Sequence, residues 1–196
     1  MHLGVQEYAS YSDLKALYIS GVRGNIFDKW LETKGFLNEE LVKRMVDVYR
    51  NHFPKISPYP GTKSTLTAFK ERFKLGIITD GYLCVQKRKI TALNIASFFD
   101  AIVYSDLWGK EFWKPNPKPF IEFLKQLDIE PRACLYVGDN PLKDFVAPNK
   151  LGMLTARIRR TGGEYEITEP PSEEYKPVFS IESLGDIDQL LNINAQ

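Results

Sequence analysis

Histidine and cysteine are scarce in this chain: each occurs twice in 196 residues. His2 and His52 give no support to a zinc cage or a Ser-His-Asp triad. Cys84 and Cys134 lie apart in apolar contexts without Cys-x-x-Cys spacing, so they read as reduced thiols rather than a bridge or metal pair. An excess of either charge is also missing, with 26 Lys and Arg against 25 Asp and Glu. That balance leaves no electrostatic footprint for nucleic acid or an anionic membrane. No stretch approaches the ~18 apolar residues of a membrane span, and Met1–Glu7 lacks a charged, apolar leader. The expectation is a cytoplasmic protein. Thr161-Gly162-Gly163 reads as a flexible turn, not a phosphate-binding loop, and Lys87-Arg88-Lys89 as a solvated helix face.

What is present suits one domain, or one domain with a small accessory lobe. A chain of this size buries about 70% of its extended surface. Residues 1 to about 56 read as helical. Leu14, Tyr18, Val22, Ile26 and Trp30 recur every fourth residue, although Gly21 and Gly24 lie within that stripe. Gly35 is a natural stop, and Asn38, followed by Glu39 and Glu40, is a good helix N-cap. Pro54, Pro58, Pro60 and Gly61 then suggest a hinge between a helical lobe, 1–57, and the remainder, 58–196. Beyond the hinge, helical and short apolar segments alternate. Strands are expected at 75–79, 101–104, 134–137 and 153–158, and helices at 62–73, 82–95, 117–127 and 142–151. A short strand and closing helix follow within 179–191. Such alternation predicts an α/β fold, a three-layer Rossmann-like parallel sheet.

Three segments place polar residues where apolar strands end, the place at which open α/β sheets present ligands. They are Ile77-Ile78-Thr79-Asp80-Gly81, Trp113-Lys114-Pro115-Asn116-Pro117 and Val137-Gly138-Asp139-Asn140-Pro141-Leu142-Lys143-Asp144. Asp139 and Asp144 suit a hard cation if the first ends a strand and the second sits in the following turn. Alone, the same pattern is an ordinary strand–turn–helix junction. Lys114 offers a positive charge to phosphate oxygens on a proline-stiffened loop, with Lys118 as its rival. The Thr79 hydroxyl and the backbone N–H groups of Asp80 and Gly81 could hold a phosphate oxygen.

In order and placement these segments resemble the second, third and fourth motifs of haloacid dehalogenase-like phosphatases. Similarity extends to Tyr59-Pro60-Gly61, Phe98-Phe99-Asp100 and Gly152-Met153-Leu154-Thr155. The resemblance implies a Mg2+-dependent phosphatase of a small phosphorylated metabolite. Lys114 and Thr79 would be catalytic, Thr79, Asp80, Gly81 and Lys114 would bind phosphate, and Asp139 with Asp144 would hold the metal. A helical lobe ahead of the second motif is similar to a subclass whose cap is inserted there, which would turn Arg23 toward a substrate anion.

The family's first motif, a strand ending in Asp-x-Asp-x-Thr that supplies the nucleophile, has no match between Met1 and Thr79. Asp186-Ile187-Asp188 has the spacing but a helical context at the far end of the chain. Three expectations follow: a shortened form of a longer product, a catalytically silent binding or assembly module, or a subunit completed by a strand-donating partner. An exposed inner sheet edge would also favour a homo-oligomer.

Overall fold

Gly21 and Gly24 break the fourfold apolar stripe into two helices. Helix α1 covers Glu7–Ile19 and α2 covers Ile26–Thr33. Between them both glycines take positive φ, 94° and 81°, a region that side chains disfavour. The uninterrupted periodicity expected through Val22 is therefore not a continuous helix. Helix α3, Glu39–Asn51, begins as its sequence indicates, with Asn38 Oδ1 accepting the Leu41 N–H at 3.0 Å. Trp30 and Leu31 are the buried centre of this region. The Trp30 indole N–H donates to Asp13 at 3.2 Å, and Lys34 pairs with the same carboxylate at 2.8 Å. This computed structural model describes residues 7–193. The contacts divide the chain into two units, one ending at His52 and the other starting at Phe53.

The second unit alternates helix and strand: α4 (Thr62–Lys70), β1 (Gly76–Thr79), α5 (Leu83–Leu93), β2 (Ala101–Tyr104), α6 (Lys118–Leu127), β3 (Leu135–Gly138), α7 (Val146–Leu151), β4 (Leu154–Ile158), β5 (Phe179–Ile181) and α8 (Ile187–Ile193). All strand pairs are parallel, and the class is α/β. Helix α7 starts later than its sequence suggests. The turn 141–145, with Pro141, Asp144 and Phe145 buried and Leu142 exposed, precedes it, and Pro148 sits near its start, where a missing N–H does little harm.

The strands form two ladders rather than one sheet. β1 pairs with β2, and β3–β4–β5 form a separate group. Each β1 residue is matched to β2 in order, from Gly76 with Ala101 to Thr79 with Tyr104. β3 runs beside β4 from Leu135 with Leu154 to Gly138 with Arg157. Helix α6 bridges the groups, because Ile78 of β1 and Tyr136 of β3 both pack on the cluster around Phe120 and Leu124. A second cluster, built on Phe69, Ala156, Ile181 and Ile187, covers the other face. β4 has a partner on each edge, and its Thr155, Ala156 and Arg157 are buried. β1 and β3, paired on one edge only among the described residues, are at most half-buried along their lengths.

Phe120 is fully buried with its ring 5.0 Å from that of Tyr136, while the next residue, Ile121, is exposed. Phe120→Ala is expected to lower stability by about 3–5 kcal/mol, and Ile121→Ala by less than about 0.5 kcal/mol. Urea unfolding of the two variants checks this; equal losses would show that α6 does not join the groups through this ring.

Candidate functional site

β1 ends at Thr79, so Asp80 leaves the sheet at the C-terminal end of its strand. The parallel register sets Thr79 beside Tyr104, which brings the next residues, Asp80 and Ser105, together. Ser105 is buried, and its hydroxyl donates to Asp80 Oδ1 at 2.7 Å. The Lys114 backbone N–H donates to the same oxygen at 3.2 Å, and Lys143 Nζ to Oδ2 at 2.9 Å. Asp80 is thus the anchor of three chain segments. Its own burial opposes ionisation, but Lys114, Lys143 and the Ser105 hydroxyl prevail and hold its carboxyl below the usual range.

Lys114 is reached through the same loop. Its ammonium lies 2.8 Å from Asp144 Oδ1 and donates to the Tyr136 hydroxyl at 3.0 Å. Burial alone would favour the neutral amine. Tyr136, Asp144 and Asp80 outweigh it and keep Lys114 charged beyond its ordinary range. Tyr136 is shifted up chiefly by burial, so its hydroxyl stays protonated.

Beyond β3, Asp139 is exposed and Asp144 only 2% exposed. The Asn140 N–H donates to Asp144 Oδ2 at 3.0 Å and fixes the turn. Gly138 allows that approach, since a Cβ there would meet Asp144 Oδ2 at 2.7 Å and its Cβ at 2.9 Å. Although Asp139 is exposed by area, partial desolvation by the surrounding strand ends, and next the neighbouring charge of Asp144, push its carboxyl up.

Thr79, Asp80, Lys114, Asp139, Lys143 and Asp144 line one cleft of about 190 Å³, with Ile78, Asn140 and Tyr165. A larger hollow of about 300 Å³ beside α6, lined by Ile121, Lys125 and Asp128 among others, contains none of these groups. The donor set fits a magnesium ion in part. Asp144 Oδ1 is buried with the Lys114 ammonium 2.8 Å away as its contact, beside Asp139, whose carboxyl is shifted up. No group of three His, Cys, Asp or Glu side chains suited to a metal occurs among the described residues. Magnesium commonly takes one or two carboxylates and completes its shell with water and phosphate.

The other candidates differ in their relation to the cleft. The Thr79 hydroxyl lines it while donating to Gln86 at 2.9 Å. Gly81 does not line it; at φ 114° it closes on Gln86, whose amide nitrogen lies 2.5 Å from where a Cβ would stand. Lys118 lies over the Trp108 and Phe112 rings. Arg23 donates to the carbonyls of Tyr18 and Val22 and stacks on the Tyr18 ring. Asp186 caps its own turn through Ser183, and Asp188 pairs with Arg72 at 2.5 Å. Sequence reasoning missed Lys143, Tyr136 and Ser105 as members of the cluster. Their signals were modest: a lysine beside Asp144, a lone hydroxyl in an apolar strand, and a serine directly after β2.

Residues 4–158 match the family described as haloacid dehalogenase-like hydrolase. The chain is similar to glyceraldehyde 3-phosphate phosphatase of Methanopyrus kandleri, at 40% identity over 145 residues, 73% of this chain and 60% of that one. It is 35% identical to the enzyme of the same name from Methanocaldococcus jannaschii, covering 67% of this chain and 57% of the relative. Phosphoglycolate phosphatase of Aquifex aeolicus is 34% identical over 160 residues, 79% of this chain and 70% of that protein. The chain therefore spans about 60% of the length of the two archaeal relatives. Among solved structures, the hydrolase YfnB of Bacillus subtilis shares the fold at a TM-score of 0.69 and 18% identity, over 97% of this chain and 85% of that one.

Gly138→Ala is expected to force Asp144 from its seat and cost about 1–3 kcal/mol, read by urea unfolding. A null effect would show that the close approach imposes no constraint. Asp80 supplies a pH test, since its folded pKa lies below the unfolded value near ~3.9. Its contribution is present above that pH and is lost as pH falls through the depressed folded value. The stability gap between the parent and Asp80→Asn should therefore be full at neutral pH and shrink in acid; a gap that widens in acid would reverse the assignment.

Proposed function

The chain belongs to the haloacid dehalogenase-like hydrolase family, and from that premise we propose that its cleft is a magnesium-dependent, phosphatase-type site for a small phosphorylated metabolite. The observation that supports this reading is the convergence of Asp80, Lys114, Asp139 and Asp144 from three separated segments on one cleft. Its volume of about 190 Å³ is below the roughly 300 Å³ where pockets for drug-sized ligands begin, which favours a small substrate. The phosphatases among its relatives act, by name, on glyceraldehyde 3-phosphate or phosphoglycolate, both of that class.

Each residue has a role in this reading. Lys114, held charged by Tyr136, Asp144 and Asp80 against the effect of burial, stabilises negative charge on the phosphoryl oxygens. Thr79 and the backbone N–H of Asp80, which line the cleft, bind a phosphate oxygen, and Gly81, which does not line it, takes no part. Asp139 and Asp144 hold the metal, which when bound neutralises phosphate charge and orients that group. Residues 1–57 are assigned the part of a substrate-selecting cap. Turnover needs a carboxylate nucleophile, and Met1–Thr79 supplies no Asp-x-Asp-x-Thr.

The divided sheet favours completion by an added strand. Among the described residues, β1 and β3 each have one edge without a strand partner, and both lead into the cleft. An extended apolar segment ending in Asp-x-Asp-x-Thr would pair with both edges and deliver a carboxylate near Lys114. Assays of p-nitrophenyl phosphate with Mg2+ test the two readings together. The chain alone should bind Mg2+ and inorganic phosphate without turnover, and Lys114→Ala should weaken phosphate roughly tenfold or more. Adding a peptide with that motif should raise the melting temperature and start hydrolysis. Binding without a peptide effect would leave a silent binding module, and absence of binding would sink the phosphatase reading.

A further inference from the structure

Arg157 is a charged residue at 2% exposure, and none of the roles assigned above uses it. It lies on β4 directly beside Gly138 of β3, at the strand ends that lead into the cleft. Burial disfavours its charge, and Arg159 adds repulsion. A guanidinium is retained in such a place only when its donors are put to use. Here Nη2 is directed at main chain, while Nε is buried without a hydrogen-bond partner. Nη2 donates to the carbonyl of Tyr165 at 2.6 Å and to that of Thr168 at 2.7 Å.

Arg159, two residues on, repeats the arrangement. Its Nε and Nη2 donate to the Glu166 carbonyl at 3.2 and 2.8 Å, and Nη2 also reaches Glu169 Oε1 at 2.9 Å. The segment closes on itself as well, with Gly162 N–H donating to Glu166 Oε2 at 2.7 Å. Residues 160–169 contain no helix or strand, so these carbonyl contacts substitute for a ladder. The consequence falls on Tyr165, a member of the cleft lining contributed by this segment.

We propose that residues 160–169 form a selectivity wall of the cleft, with Tyr165 limiting the group attached to phosphate and Arg157 as the positioning residue that holds the wall in place. This rests on the phosphatase-type reading for its ligand class, but not for the holding role of Arg157. A single guanidinium nitrogen, Nη2, ties the two carbonyls together, and the always-charged, planar head holds that nitrogen in a fixed direction. The backbone it holds also places Tyr165 beside Asp139 and Lys143 rather than out in solvent.

Two measurements separate the parts. Trypsin cleavage after Arg159 and Arg160 reads the wall directly. Arg157→Gln and the milder Arg157→Lys are expected to speed that cleavage about tenfold, with circular dichroism showing an intact fold. Unchanged cleavage in a folded variant would overturn the positioning role. Affinities for inorganic phosphate and phenylphosphonate, measured by titration calorimetry with Mg2+, read the selectivity. Tyr165→Ala should shift their ratio about tenfold toward the larger ligand, and Arg157→Lys should shift it in the same direction. An unaltered ratio would overturn the wall. If the parent chain binds neither ligand, the phosphatase reading and the selectivity claim fail together, while the cleavage result still decides what Arg157 does.

Discussion

Two ion pairs bind the halves of the strand layer together at the mouth of the cleft. Lys143, after β3, reaches back to Asp80 at the end of β1. Lys114, after β2, reaches forward to Asp144 beyond β3. Each pair joins one ladder to the other, and among the described residues no backbone ladder does so. The Lys114–Asp144 pair is the more buried, with side chains at 10% and 3% exposure. Breaking such a pair from one side leaves an unpaired charge in the interior, at about 3–5 kcal/mol. A domain is stable by only about 5–15 kcal/mol, so these charges are constraints on the fold as well as candidates for chemistry.

The same arrangement underlies the proposal that the cleft takes an anion and a cation together. Lys114 and Lys143 neutralise Asp80 and Asp144, yet Asp139 remains beside Asp144 without a comparable partner and resists ionising. A divalent cation would relieve that repulsion, and a phosphate would take up part of the lysines' charge. Opposite charges held close by rigid strand ends, with little volume between them, provide preorganisation of the kind that phosphoryl chemistry relies on. Apolar packing under α6 holds the strand ends in place, because Phe120, Tyr136 and Ile78 share one cluster.

Much of this was readable in the residues. Strand and helix positions in the second unit followed from apolar runs of strand length separated by helical periodicity, and boundaries moved by only a few residues. Asn38 announced a helix start, and the junctions after Thr79 and Gly138 announced polar groups at strand ends. Legibility failed where a local pattern met a tertiary demand. The stripe from Leu14 to Trp30 ignored the positive φ of Gly21 and Gly24. Asp80 looked like a backbone phosphate ligand, but its carboxylate gathers three donors that lie 25 to 63 residues away in sequence. Periodicity carries no information about such distant pairings. The separation into two ladders was equally hidden, since strand partners depend on which edges meet and not on the strands' own composition.

The central claim is that Asp139 and Asp144 share a divalent cation next to the lysine-bound anion site. Electron paramagnetic resonance of Mn2+ titrated into the chain, with and without inorganic phosphate, addresses it directly. The account predicts saturable binding at one site, tightened by phosphate and weakened at least about tenfold in Asp139→Asn with the fold intact. Identical binding by parent and variant, or no saturable binding by either, would contradict it.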